Sequence, residues 1–312
     1  MRVLRWILQV ERDYQLKIDH QLTQSRDFAN LPKVGFAPLY LASRLRILRW
    51  AIRYAGLWIP DALNVTLALV LEPGDTFLDI GANVGWVTEK ASWLVGSRGE
   101  VHSFEPSPST VCYLRRRVSS LGLKNVIVNQ FALGKTPGVA VLHEFSENFG
   151  GSSSLALGAN TAPGQHLAAE TPIEIQTLDA YVKSRAIDNI RMMKIDVQGA
   201  EMQVLQGASE LFSDQHPILF VEIEQGASVA FGYTAKDLLE TIIGLGYQMY
   251  SWRNEGLTPV YSEDDIPPGG HDDVICLQVD DPFHALVLSR LRDLASCRDG
   301  FLVQVFFGPS RS

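Results

Sequence analysis

The chain has 312 residues, 46% of them hydrophobic, and a formal net charge of −8. That is a globular composition with room for a core of ordinary size plus appendages, and the absence of a basic stripe or an aromatic-basic run in the central part argues against nucleic acid as substrate. Three widely separated cysteines, Cys112, Cys276 and Cys297, form neither a CxxC metal site nor an even disulfide set, which points to a reducing, cytoplasmic setting.

The N-terminal end is chemically distinct. Residues 1–60 hold ten Lys or Arg against four Asp or Glu, a local balance of +6 that leaves −14 for the remainder. Val3, Ile7, Val10 and Tyr14 follow helical spacing, and a second helix from Ala42 to Tyr54 sets Leu45, Leu48 and Ile52 on one face with Arg46, Arg49 and Arg53 along another. Packing on the acidic remainder is the preferred reading; peripheral contact with the inner membrane face is the alternative. Met1 to Val10 lacks the apolar core and cleavage site of a signal peptide, and Pro60 and Asp61 interrupt the apolar run Tyr54 to Leu71 too early for a membrane span. Residues 1–72 thus read as a helical extension, and Pro73-Gly74-Asp75 as the turn into a core over residues 73–280.

The core begins with Phe77 to Gly85, FLDIGANVG, an apolar strand that runs into a glycine turn and opens a helix from Val84 to Leu94. Its unbroken apolar character suits a parallel sheet covered on both faces, where ligands sit at the carboxyl ends of strands. The dinucleotide fingerprint needs a middle glycine for the pyrophosphate, and Asn83 stands there instead. Asp79 would also repel a pyrophosphate, whereas it suits a ligand carrying an ammonium or sulfonium, such as S-adenosylmethionine. The bland alternative is an ordinary strand-to-helix connection.

A second strand, Glu100 to Phe104, ends at Glu105-Pro106, 24 residues beyond Gly81. An acidic residue about 20 residues after the glycine turn is placed to bind ribose hydroxyls; capping of the helix Pro108 to Leu121 is the plainer role. Between the third and fourth strands an insertion of about residues 138–176 pairs two alternating strands, Gly138 to Phe145 and Thr171 to Gln176, around a Gly/Ser/Ala-rich segment, Ser146 to Glu170, readable as a substrate lid or as disorder.

The fourth strand, Met192 to Ile195, delivers Asp196 to its carboxyl end, where a carboxylate can orient or deprotonate a nucleophile, bind a metal or hold an amino group. Glu201 reads as a cap of the following helix. On the fifth strand, Pro217 to Glu224, Glu222 and Glu224 share a face by period two. Asp196 is the first choice of general base, with Glu222 or Glu224 behind it and His143, His166 and His271 as alternatives. Asp196 with Glu222 is also the pair that could hold Mg²⁺. A helix Ala235 to Leu245, a strand Tyr247 to Trp252, a polar loop and a strand Asp273 to Val279 follow. Asp281-Pro282 then starts a C-terminal helical extension, residues 281–312, whose apolar face Phe283, Val287, Leu291 and Leu294 must be covered by the core or by a second subunit, as in a homodimer.

FLDIGANVGWVT, FEPSPSTVCYL, the pair Ala132-Leu133, TLDAY at Thr177 to Tyr181, and KIDVQGAEMQVLQGA, in this order over roughly Asp75 to Trp252, together resemble the FkbM-type S-adenosylmethionine-dependent methyltransferases. The resemblance implies an α/β fold of class I, a Rossmann-like three-layer sandwich around a mostly parallel seven-stranded sheet with an antiparallel edge. It implies O-methylation of a sugar, glycolipid or other secondary metabolite; N-methylation of an amino sugar or peptide, and a catalytically silent scaffold, stay open. By position, Asp79, Gly81, Ala82, Asn83 and Gly85 line the methionine part of the cofactor, Glu105 with Pro106 the ribose, Ala132 the same cofactor pocket, and Asp196 the reaction side. Gln198 departs from the family's commoner Glu, which removes one acid from the cleft.

Overall fold

The structure is a computed structural model and describes residues 62–145, 153–155, 167–253, 256–268 and 270–296. The helices expected within residues 1–60, most of the Gly/Ser-rich segment, His166 and Cys297 lie outside these residues. In chain order the elements are α1 (Ala62–Val70), β1 (Thr76–Ile80), α2 (Trp86–Val95), β2 (Glu100–Phe104), α3 (Pro108–Leu121), β3 (Val126–Asn129), β4 (Ala132–Leu133), β5 (Gly138–Phe145), β6 (Ser153–Ser154), β7 (Leu167–Gln176), α4 (Leu178–Arg185), β8 (Ile190–Ile195), α5 (Glu201–Gln206), α6 (Ser209–Asp214), β9 (Ile218–Glu224), α7 (Gln225–Ala230), α8 (Ala235–Gly244), β10 (Gln248–Arg253), β11 (Gly256–Val260), β12 (His271–Leu277) and α9 (Pro282–Ser296). None of the described helices is long and apolar enough to cross a membrane.

Local signals set the boundaries. Ser107 caps α3 by accepting from the Thr110 amide, Pro108 occupies its first turn, and Gly122 ends it in the left-handed region. Thr234 and Asp237 form a reciprocal capping box at the start of α8.

The main sheet has the order β11-β10-β12-β9-β8-β1-β2-β3. β1 runs parallel to both β2 and β8, and β8 parallel to β9. Period two sends alternate strand residues to opposite faces. Leu78, Ile80, Met193 and Ile195 join a cluster with α4, α5, α6 and α8, whereas Phe77, Val101, Met192 and Phe220 join another with α1, α2 and α9. These are the three layers expected from the unbroken apolar strands; each fully buried Leu, Ile or Phe contributes about 1.5–3 kcal/mol of transfer free energy. Val287 and Leu291 of α9 belong to the second cluster, with Phe283 packed against it, so the core itself covers these three residues.

Two details differ from expectation. The sheet has eight strands rather than seven, because the polar loop after β10 folds back as β11; Pro259 there lacks an N–H and suits an edge strand. The expected antiparallel edge is there, formed by β11, β10 and β12, but β12 lies on its inner side, between β9 and β10 and antiparallel to both. Val274, Ile275, Cys276 and Leu277 are completely buried, and a run apolar on both faces belongs inside a sheet.

The insertion forms a second sheet of order β4-β7-β5-β6. Leu142 and Ile173 face inward, whereas Val139 and Val141 on the same hairpin face solvent. Glu144 of β5 ties this sheet to the start of α3 by accepting from the hydroxyls of Ser107 and Ser109.

Candidate active site

A pocket opens at the carboxyl ends of β1, β2 and β8. Gly81, Asn83, Glu105, Pro106, Ala132, Asp196 and Gln198 line it together with the apolar Phe131, Leu133, Leu142 and Leu155; Ala132, Leu133 and Leu142 belong to the small sheet, and Leu155 follows its strand β6.

The glycine turn is closed on itself. The amides of Gly81 and Ala82 donate to the Phe104 carbonyl at 3.1 and 2.9 Å, and that of Gly85 to the Ala82 carbonyl at 2.9 Å. The Asn83 amide donates to Glu105 Oε2 at 3.0 Å, and the Val84 amide to Asn83 Oδ1 at 2.6 Å. With all five amides engaged, the turn offers no cradle for a pyrophosphate, in keeping with the missing middle glycine. Gly81 has φ +79, and a Cβ there would lie 1.7 Å from the carbonyl oxygen of Asp196. A Cβ on Gly85, at φ +91, would meet Leu114 at 2.5 Å. The close approach that these glycines permit is therefore to the chain itself.

Glu105 spans two loops. Its Oε1 accepts from the Ser107 amide at 2.9 Å while Oε2 serves Asn83. Burial pushes its pKa up to about 7, against the pull of those two donors.

Asp79 does not reach the pocket lining. It is fully buried and accepts from the Thr88 hydroxyl at 2.5 Å, and its Oδ1 has no hydrogen-bond partner among the described residues. Burial raises its pKa, with Lys194 and Thr88 opposing. Ala82 packs instead with Val111 and Leu114.

Lys194, on β8, carries no role in the sequence reading and organises this end of the sheet. Its Nζ donates to the Gly81 carbonyl at 2.8 Å and lies 3.0 Å from Asp196 Oδ2 and 3.8 Å from Asp79 Oδ1. A cation inside the apolar run MMKI, two residues before one carboxylate and aligned with another, was the available signal; β1 and β8 pair Asp79 with Lys194.

Asp196 keeps 36% of its side chain exposed. Burial works against its charge, but the Lys194 ammonium and hydrogen bonds from Glu222, Lys194 and Gln198 outweigh that and hold its pKa below the ordinary value. Glu222 responds oppositely: burial and then the Asp196 anion push it up to about 10, so it carries the proton of the pair at neutral pH. Burial also raises Asp273, opposite Glu222 in the β9–β12 pairing, to about 6.

Glu201, expected as a simple cap, is buried and does more. Its Oε1 accepts from the amides of Val197 and Gly199, and its Oε2 from the Tyr233 hydroxyl. Glu222 and Glu224 stand outside the pocket lining. With His271 they bring one ligand atom each within 4.8 Å of one another, a group that differs from the expected pair Asp196 and Glu222. His143 lies on β5 beside Glu170, at 3.3 Å, away from the pocket lining.

Comparison with known proteins bears on this geometry. Residues 79–249, more than half of the chain, match the model of the methyltransferase FkbM domain. A protein named methyltransferase 1 from Beauveria bassiana (strain ARSEF 2860) is 28% identical over 185 residues, covering 54% of this chain and 72% of that protein. The crystal structure of an FkbM methyltransferase from Methylobacillus flagellatus KT aligns over 77% of this chain and 58% of its own, with 14% identity and a TM-score of 0.41. That of an S-adenosylmethionine-dependent methyltransferase from Aquifex aeolicus aligns over 75% and 96%, with 15% identity and a TM-score of 0.37. The family match carries the assignment: the chain belongs to the FkbM methyltransferase family.

Proposed function

We propose that the pocket binds S-adenosylmethionine and that the protein transfers its methyl group to a hydroxyl of a sugar, glycolipid or other small metabolite. The observation that carries this reading is Glu105: a carboxylate at the end of β2, lining a pocket whose glycine turn has no amide to spare for phosphate. Each Glu105 oxygen has a backbone donor and a lone pair left for a ribose hydroxyl. Phe131, Leu133, Leu142 and Leu155 supply an apolar wall for the adenine, and Asp196 bounds the opposite, acceptor side.

When bound, the cofactor supplies a methyl group on a positively charged sulfur. The chain's own contribution is placement and proton management. Asp196, ionised and pinned by Lys194, accepts a hydrogen bond from the acceptor hydroxyl and takes its proton. Glu222 keeps its proton and acts as donor to Asp196 rather than as base. Mg²⁺ has no part in this scheme, since the Gln198 amide already joins Asp196 to Glu222; EDTA should leave the rate unchanged. The two cysteines among the described residues are free thiols, which suits a cytoplasmic enzyme.

Titration calorimetry with S-adenosylmethionine tests the first step, and its failure with folded protein would remove the reading. A labelled-methyl screen over hydroxyl and amine acceptors then identifies the product. Asp196→Asn should lower methyl transfer by about 10²- to 10⁴-fold with cofactor affinity nearly unchanged; equal transfer by the variant would remove Asp196 as base.

A further inference from the structure

We propose that Gln198 is the positioning residue of the acceptor side: its amide nitrogen clamps Asp196 and Glu222 together, so that a neutral side chain does there what a bound cation would otherwise have to do. The inference rests on the methyl-transfer reading above.

Gln198 Nε2 donates to Asp196 Oδ1 at 3.2 Å and to Glu222 Oε2 at 3.0 Å. An amide nitrogen has two hydrogens, one for each carboxylate. Glutamate would have none and would add a second negative charge beside Asp196, methionine would keep the length without donors, and asparagine is one methylene shorter. Asp196 Oδ2 is taken by Lys194 at 3.0 Å, so Gln198 fixes the second oxygen of a carboxylate whose first is already held. A carboxylate held at both oxygens keeps its orientation while a substrate approaches its exposed edge.

The backbone is shaped to deliver that amide. Gln198 has φ +55, in the left-handed region that only glycine visits freely, and Gly199 follows at φ +101. Such a conformation persists when its surroundings over-determine it. Here they do: Glu201 Oε1 accepts from the Val197 amide at 2.9 Å and the Gly199 amide at 3.1 Å, and the one Tyr233 hydroxyl hydrogen is shared between the Gly199 carbonyl at 2.7 Å and Glu201 Oε2 at 3.1 Å. Gln198 also lines the pocket itself. A strained turn, braced from beneath and carrying a side chain that joins Asp196 at the pocket wall to Glu222 behind it, is a built arrangement rather than a surface contact.

The test uses the full chain with Gln198→Met and Gln198→Glu. Three quantities are read: the affinity for S-adenosylmethionine, the affinity for Mn²⁺ alone, and kcat and KM of transfer to an acceptor found in the labelled-methyl screen. Cofactor affinity should be retained in both variants, which also shows that they fold. Gln198→Met should lose about 100-fold in kcat without a matching change in the cofactor KM, as a misplaced group does. Gln198→Glu should bind Mn²⁺ at least about tenfold more tightly than the wild type, and its transfer should become dependent on Mn²⁺. Wild-type kcat in Gln198→Met, or Mn²⁺ binding by Gln198→Glu no tighter than by wild type, overturns the clamp while leaving the methyl-transfer reading in place. Failure of the wild type to bind S-adenosylmethionine overturns the reading and the acceptor-side role with it.

Discussion

Replacing Lys194 by methionine removes the one ammonium that faces Asp79, Asp196 and the Gly81 carbonyl together, and keeps most of the apolar stem. Burial opposes the lysine's charge, yet Asp196 and then Asp79 outweigh burial and lift its pKa from 10.5 to about 12. That shift corresponds to about 2 kcal/mol, present below the unfolded value and lost as pH rises through the folded one. The variant should lose more than this, because Asp79 is then a fully buried carboxylate held by Thr88 alone; breaking a buried pair typically costs about 3–5 kcal/mol. Without the ammonium the folded-state pKa values of both carboxylates rise. The folded protein then binds more protons than the unfolded chain, and its stability falls as pH increases. Urea unfolding followed by circular dichroism should therefore show the full loss at about pH 8 and a clearly smaller one at about pH 5. Adding Asp79→Asn should restore part of the loss at the higher pH. An equal loss at both pH values, or one below about 1 kcal/mol at the higher, would refute the idea that charge compensation by Lys194 holds this end of the sheet.

Gly81→Ala should destabilise the fold by more than the roughly 1–2 kcal/mol of a left-handed alanine, since its methyl would press on the Asp196 carbonyl; thermal unfolding within about 1 kcal/mol of wild type would contradict that packing. Glu105→Gln places an N–H against one of two backbone donors, and an unpaired buried donor costs about 1–3 kcal/mol, so cofactor affinity should fall by at least about tenfold in calorimetry. On the proposed reading, ionised Glu105 would accept from both ribose hydroxyls, whereas its protonated form would spend one oxygen on its own hydrogen. Affinity for S-adenosylmethionine should therefore rise as pH passes upward through about 7, and Glu105→Gln should flatten that dependence.

The fold was legible where the chemistry is local and periodic. Phe77 to Ile80 and Met192 to Ile195 are apolar on both faces, and Ser107-Pro108 and Gly122 bracket their helix, so parallel strands and a covered sheet followed directly. The wedge position of β12 was not legible, because strand order depends on pairing between residues far apart, and only the apolar character of Val274 to Leu277 hinted at it. At the site, the sequence placed Gly81, Asn83, Glu105, Pro106, Ala132 and Asp196, all of which line one pocket. Asp79, Ala82 and Gly85, expected beside them, lie outside that lining; a strand residue's facing depends on register, and Asp79 turns toward Thr88 and Lys194. Lys194, the Gln198 bridge and the doubly bonded Glu201 went unread for a related reason: each acts through partners that sequence spacing does not bring together.

The wedge also bears on how the chain is made. During synthesis β9 and β10 leave the ribosome before residues 271–277, the segment that finally separates them, has been added. Until then β9 presents an open edge beside Leu219, Val221 and Ile223, all fully buried once the sheet closes. A nascent chain halted before residue 271, or a protein trimmed there, keeps the pocket strands β1, β2 and β8 but exposes two unsatisfied edges at the heart of its sheet. The last strand to arrive among the described residues thus acts as a keystone, and a chain without it offers those open edges as templates for pairing with other chains.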